Sequence, residues 1–422
     1  MPDNSEAVTR LAREESGHVL ALLTHRFGLD VADDAVQDAL VEALNWAVVP
    51  DNPAAWLYTV ARNRAVDRVR REAAAARRLA RAAPDLVQAA ERNGVSGGHG
   101  GLGGNQEEVP EMIDDAHYSG DEHLRLLLLC CHPALSRDTQ VALTLRLVGG
   151  LSTAEIAAAF LLPEQTLAQR IVRAKRKIRD AGIPLSIPED LTSRVDALLT
   201  VVYLIFNEGY LSRGSAAGAR IDLVEEAIRL TITARELLPG NPEVEGLLAL
   251  ELYARARHDT RFRGDELILL EHQDRTRWDG ELIEQANGLL GGALSRLQPG
   301  PFQTQAVIAR HHATARTAAD TDWPAIASAY AVLLAMTGGS PVVALNRAVA
   351  LSMADGPDAG LRLLAEITGL ENYHLYWATR AELLLRAGDA DAAAIAFARA
   401  RELATNTAEQ QHLDRRIAQL PE

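Results

Sequence analysis

Only two lysines, Lys175 and Lys177, occur in this chain of 422 residues. Neither follows a glycine-rich loop, so no phosphate-cradling Walker A element can be assembled, and both lie in an arginine-rich run unsuited to Schiff-base chemistry. The two cysteines, Cys130 and Cys131, are adjacent and precede His132. Neighbouring cysteines do not close an ordinary disulfide loop, and no second pair exists to complete a zinc site, so buried apolar thiols beside Leu126 to Leu129 are expected. His311 and His312 lie near Asp320 and Asp322, but adjacent histidines leave a helix on different sides and do not form the i, i+4 pair that a metal uses. Asn207, Glu208 and Tyr210, with Glu271, His272, Asp274, Arg275, Arg277, Trp278 and Asp279, read as polar clusters at helix ends, either packing networks or a concave binding surface. A nucleophile, a base and an orienting group at recognisable spacing are missing. No enzyme, catalytic residue, metal or cofactor is expected.

The chemistry that remains is the binding of a polyanion. The formal charge is −14, yet two runs are strongly basic. Val60 to Arg81 carries eight arginines against Asp67 and Glu72, and Glu164 to Asp180 carries four arginines and two lysines against two acids. Two basic helices in an acidic protein suggest two nucleic-acid contacts, with solvated arginine-rich faces as the plain alternative. The second run completes the segment Gly150 to Ile178. A short helix carries Ile156 and Ala157, a turn falls near Leu161 to Pro163, and a second helix begins at Glu164. Ser152 or Thr153 caps the first helix, with Glu155 in its first turn. This is a helix-turn-helix pattern, whose second helix presents its first residues to base edges and its later cations to phosphates. Gln165, Thr166, Gln169 and Arg170 then face bases, while Arg173, Lys175, Arg176 and Lys177 hold the backbone.

These side chains need helices to position them. Aromatics make up 5% of a chain that is 48% hydrophobic and rich in Ala, Leu and Arg, so an all-α fold is expected. Three helical periodicities, Val8 to Phe27, Ala32 to Trp46 and Pro53 to Arg81, build a first module over 1–82. A linker over 83–120 contains the flexible stretch Asn93 to Gln106, and a second module with the helix-turn-helix spans 121–183. A helical domain over 184–422 follows. Ala227, Ala234, Leu237 and Pro239, and again Ala393, Phe397, Ala400 and Leu403 after the turn Gly388-Asp389, have tetratricopeptide-like spacing, so helix pairs should stack there; an irregular bundle is the alternative. The first 26 residues lack a signal-peptide core, and the longest apolar stretch, Leu198 to Phe206, is well short of the ~20 residues of a membrane span. A reducing, cytoplasmic location and no membrane contact are expected.

The segment GLSTAEIA, continued by Thr166, Arg170 and Arg173-Ala174-Lys175, resembles region 4 of bacterial sigma factors. Asp34 to Leu40, with Ala43 and Trp46, resembles region 2.2, and Pro53 to Arg71 resembles regions 2.3 and 2.4 of the extracytoplasmic-function (ECF) class. Further stretches, from Asp121 to Leu126 and CCHPAL through VVYLIFNEGY, LLEHQDRTRWD, AADTDWP and SPVVALNRAVA, resemble an ECF subgroup with a tetratricopeptide-like C-terminal extension. The resemblance covers nearly the whole chain, although the Gly-rich tether is long and the repeats degenerate. It implies a factor directing core RNA polymerase to promoters and initiating transcription. Asp34, Gln37, Asp38 and Glu42 would meet the β′ clamp helices, and region 4 the β flap. Trp56, Tyr58, Arg62, Asn63, Arg64, Arg68 and Arg71 would recognise and melt the minus-ten element, with region 4 on the minus-thirty-five element.

From the residues alone, the first set suits a polar protein interface or a solvated face, and Trp56 suits base stacking or a core. The C-terminal domain would regulate activity or be required for it, and a small DGPF-type protein is a further partner the resemblance suggests. The competing reading is a helix-turn-helix regulator with a repeat-type sensor domain that acts without joining the polymerase holoenzyme.

Overall fold

The computed structural model describes residues 5–92, 121–160, 162–188, 190–210, 217–263, 266–404 and 407–420. The glycine-rich stretch and most of the linker expected over 83–120 lie outside them. The backbone divides into two compact units, Met1–Ile205 and Phe206–Glu422, whereas the sequence suggests a boundary near residue 183.

Three helices open the first unit: α1 (Ser5–Phe27), α2 (Leu29–Ala43) and α3 (Pro53–Arg92). Asn52 sets the start of α3, its Oδ1 accepting the Ala55 N–H at 3.0 Å while Pro53 occupies the first turn, where no backbone donor is needed. Apolar residues at helical spacing then close a core of Val19, Leu20, Leu23, Ala35, Val36, Ala39, Leu57, Ala61 and Ala65. The many alanines let the three axes approach closely.

α4 (Asp121–Cys130) and α5 (Arg137–Leu143) follow, and α5 runs into a π-helical turn over Thr144–Val148. After it come α6 (Thr153–Ala159), α7 (Glu164–Asp180) and α8 (Leu191–Tyr210), the last containing the division between the units. Leu126 to Cys131, Leu143, Leu145, Ile156, Leu167 and Ile171 form their buried interior. Two glycines bring this group onto α1. A Cβ on Gly17 would lie 2.6 Å from the Val148 carbonyl oxygen, and one on Gly150, whose φ is +67°, would lie 2.0 Å from that of Ala12. Any other residue would force the backbones apart at both points.

The second unit contains α9 (Ala217–Leu237), α10 (Pro242–Ala256), α11 (Gly280–Ser295), α12 (Pro301–Thr314), α13 (Trp323–Met336), α14 (Pro341–Asp355), α15 (Pro357–Glu366), α16 (His374–Arg386), α17 (Ala390–Leu403) and α18 (Thr407–Ala418). A two-residue antiparallel pairing, Phe262–Arg263 with Glu266–Leu267, is the only sheet among the described residues. Side-chain caps at Asn241, Asp279, Asp322 and Asp389 mark helix starts, with proline in the first turn after Asn241 and Asp322. Each local core draws on consecutive helices: Ile308, Ile326 and Ala350 from α12 to α14, Leu345, Leu364 and Leu383 from α14 to α16, and Ala381, Phe397 and Leu413 from α16 to α18. That overlap of neighbours is how a tetratricopeptide-like stack buries its apolar faces. Ala227, Ala234, Ala393, Phe397 and Ala400 are all buried. Thr231, standing where the repeat usually has an aromatic ring, donates to the Ala227 carbonyl at 3.0 Å. Among the described residues no helix is long and apolar enough to cross a membrane.

Candidate nucleic-acid interface

The first helix of the helix-turn-helix pattern starts with a reciprocal cap. The Glu155 N–H donates to Ser152 Oγ at 3.1 Å, and Ser152 N–H donates to Glu155 Oε2 at 2.7 Å. Burial opposes the Glu155 charge, but the bonds from Ser152 and the nearby Arg13 outweigh it and hold the carboxyl below its ordinary range. The turn ends at Pro163, and α7 begins at Glu164, where the sequence pattern starts its second helix. Leu167, Ile171, Ala174 and Ile178 form the buried stripe of α7. This 3–4 spacing leaves Gln165, Thr166 and Gln169 exposed at its beginning, with Arg173, Arg176 and Lys177 exposed farther along.

The cations of α7 are unequally engaged. Arg173 Nε bonds the Gln169 carbonyl at 3.2 Å, and Arg176 meets Asp180 at 3.2 Å, both at the surface. Half-buried Arg170 approaches Asp138 at 3.6 Å, and Lys177 Nζ donates to the Ala134 carbonyl. With Ser136 and Thr139, Arg170, Arg173 and Lys177 line a cavity of about 310 Å³ between α5 and α7. Lys175 differs from all of these. Only 12% of its side chain is exposed, and its ammonium lies 2.9 Å from Asp33 Oδ2 and 3.8 Å from Asp30 Oδ1. Asp30 also binds Arg179 at 2.6 Å. These acids of α2 bring the two modules together, and no pattern in the sequence marks them as partners of residues more than 140 positions away.

The same interdependence holds between the face expected to meet a protein and the one expected to meet DNA. Asp34 pairs with Arg68 at 2.6 Å and Glu42 with Arg64 at 2.7 Å, linking α2 to α3, and the Glu42 hydrogen bond raises the Arg64 pKa. Gln37 is half-buried and Asp38 exposed. On α3, Arg62 and Tyr58 are half-buried, Asn63 and Arg71 exposed, and Leu57 fully buried. Trp56 is half-buried and meets Trp46 edge-on, ring centroids 4.8 Å apart, so part of its surface packs while the rest faces outward.

Several of the remaining polar candidates have structural roles. Cys130 and Cys131 are buried thiols whose pKa values burial raises, that of Cys131 to about 12. His132 Nδ1 accepts the Ala134 N–H at 3.1 Å. Asp320 accepts from Thr317 N–H and hydroxyl, Asp322 caps α13, and Asp274 and Asp279 cap the turns that follow them. No cluster of three or more His, Cys, Asp or Glu side chains suited to a metal occurs among the described residues.

Comparison with known proteins matches these elements. Residues 11–75 match the model for sigma-70 region 2, residues 125–178 that for sigma-70 region 4, and residues 194–294 a family of unknown function, DUF6596. An uncharacterised protein of Rhizobium meliloti (strain 1021) is 40% identical over 400 residues, covering 93% of this chain and 90% of its own length. The ECF RNA polymerase sigma factor SigK of Mycobacterium ulcerans (strain Agy99) is 27% identical over 154 residues, 36% of this chain and 67% of its own. The crystal structure of yeast Tom70 aligns with 99% of this chain and 82% of its own at 13% identity, with a TM-score of 0.36. With both sigma-70 regions matched on the helices just described and one relative aligned almost end to end, the chain belongs to the sigma-70 family of sigma factors.

Proposed function

We propose that this sigma factor joins core RNA polymerase and directs it to promoters with two separated elements, acting without catalysis of its own. α2 meets the polymerase β′ clamp helices through Asp34, Gln37, Asp38 and Glu42. α3 recognises and melts the minus-ten element with Trp56, Tyr58, Arg62, Asn63, Arg64, Arg68 and Arg71. α7 reads the minus-thirty-five element with Gln165, Thr166, Gln169 and Arg170, and region 4 docks on the β flap. Arg173, Arg176 and Lys177 hold the DNA backbone, and Lys175, tied to Asp33, is left out of that set. The observation that carries this reading is the asymmetry of α7, which buries one apolar stripe and exposes amides and a hydroxyl at its start with cations after them. One recognition helix offers limited specificity, so two elements joined through the polymerase suit the physics of multivalent binding.

The C-terminal stack is required for, or regulates, that activity. The test mixes the purified full chain with bacterial core RNA polymerase and follows co-elution and start-site-specific transcription from its own upstream region. Co-elution with new specific transcripts is the expected result. Tight palindromic DNA binding by the protein alone, without co-elution, would instead establish a conventional helix-turn-helix regulator.

A further inference from the structure

In the second unit several guanidinium groups meet carboxylates: Arg229 meets Glu226, Arg255 meets Glu225, Arg296 meets Glu245 and Arg416 meets Glu382. Arg257 and Arg275, like several other arginines of this unit, have no carboxylate at ion-pair distance among the described residues; what sets them apart is their surroundings. Arg275 donates to the carbonyls of His312 and Ala315 at the end of α12 and lies over the Trp278 ring, 4.7 Å from its centroid. The Arg257 guanidinium donates no hydrogen bond to a described residue and stands 5.8 Å from the centroid of Tyr210. Arg261 covers the same ring at 3.7 Å.

Two buried polar atoms beside these cations have no partner: Tyr210 Oη, in a residue only 8% exposed, and His312 Nδ1. The His312 ring stands edge-on to Trp323 at 5.2 Å. Burial first, then repulsion from Arg257 and Arg275, pushes the His312 pKa down to about 4, which puts both charges within electrostatic range of a neutral imidazole. Buried polar groups are nearly always satisfied, so the Arg257 guanidinium, with no carboxylate at ion-pair distance, beside two orphaned polar atoms calls for an acceptor.

We propose that Tyr210, Arg257 and His312 bind a small oxyanion, a carboxylate or phosphate group of metabolite size, in the C-terminal unit. A guanidinium offers a planar fork that matches two oxygens of either group. The Tyr210 hydroxyl and a neutral His312 N–H add donors without adding charge, and Arg261 and Arg275 supply a positive field around them. A metal cation is repelled by the same field. The site goes beyond promoter recognition and does not depend on it.

The test titrates the full-length protein by calorimetry and thermal melting with inorganic phosphate and with succinate, against sodium chloride at equal ionic strength. Saturable binding of at least one anion, with a raised melting temperature, is expected, and which one binds decides between phosphate and carboxylate. Arg257→Gln should weaken binding about 10- to 100-fold, the range for a charged hydrogen bond, and Tyr210→Phe less. The unliganded Arg257→Gln protein should melt no lower than wild type, since no carboxylate is stranded, and its His312 should titrate at higher pH. Absence of saturable binding by either anion, or binding unchanged in Arg257→Gln, would overturn the proposal.

Discussion

Replacing Asp33 with asparagine should loosen the first unit far more than an ordinary surface substitution. The Asp33 side chain is 8% exposed and that of Lys175 12%, with 2.9 Å between the charged atoms. At an effective dielectric constant of about 20, the gross attraction at that distance is about 6 kcal/mol, most of it offset by the cost of removing both charges from water. Removing one partner alone leaves the desolvation of the other uncompensated. The nearby Asp30, 3.8 Å from the ammonium, softens the loss, so Asp33→Asn should cost about 2–4 kcal/mol. Lys175→Met should cost a similar amount, and the double variant should recover most of it, with a coupling of about 2 kcal/mol. A single unfolding curve is a poor gauge in a chain of two units, and Trp278, Trp323 and Trp377 in the second would mask the fluorescence of Trp46 and Trp56 in the first. Hydrogen exchange followed by mass spectrometry, reading peptides from α1, α2 and α7, isolates the effect. A change below about 0.5 kcal/mol in those peptides would show that Lys175 and Asp33 are not joined in solution, and the account of α7 would fail with it.

Gly17→Ala offers a test by sign: in an isolated helix it stabilises by about 0.5–1 kcal/mol, but here the new methyl meets the Val148 backbone, so exchange in α1 and in Thr144–Val148 should quicken; slower exchange would refute the close contact. Burial raises the Glu251 pKa from 4.5 to about 8, and neither carboxyl oxygen has a hydrogen-bond partner among the described residues. The folded form therefore holds a proton that the unfolded chain has released, and the stability of the C-terminal unit should fall as pH rises from 4.5 towards 8 and then level off. Glu251→Gln should flatten that slope, and parallel melting curves for the two proteins between pH 5 and 9 would refute it. Cys130 and Cys131 should resist iodoacetamide at pH 8 in the native protein and react after unfolding, because burial keeps both protonated; prompt native alkylation, read by mass spectrometry, would contradict their placement.

Local chemistry made much of this protein readable in one dimension. Asn52-Pro53, Asn241-Pro242 and Asp322-Trp323-Pro324 announce helix starts because a cap and a proline act within a single turn. The start of α7 at Glu164 and its buried Leu167, Ile171, Ala174 and Ile178 follow from a period of 3.6 residues. Periodicity marks a face without naming what covers it. Nothing in the spacing of Asp30 and Asp33 points to Lys175 and Arg179, because that choice is made where two helices far apart in the chain happen to meet. Lys175 and Arg176 read alike as phosphate contacts, yet a rotation of about 100° along α7 leaves one against α2 and the other in solvent. The π-helical turn at Thr144–Val148, the orphaned Tyr210 hydroxyl and the neutral Glu251 are likewise products of packing: each depends on which atoms surround a group after the chain has folded, and the order of residues does not specify those distances.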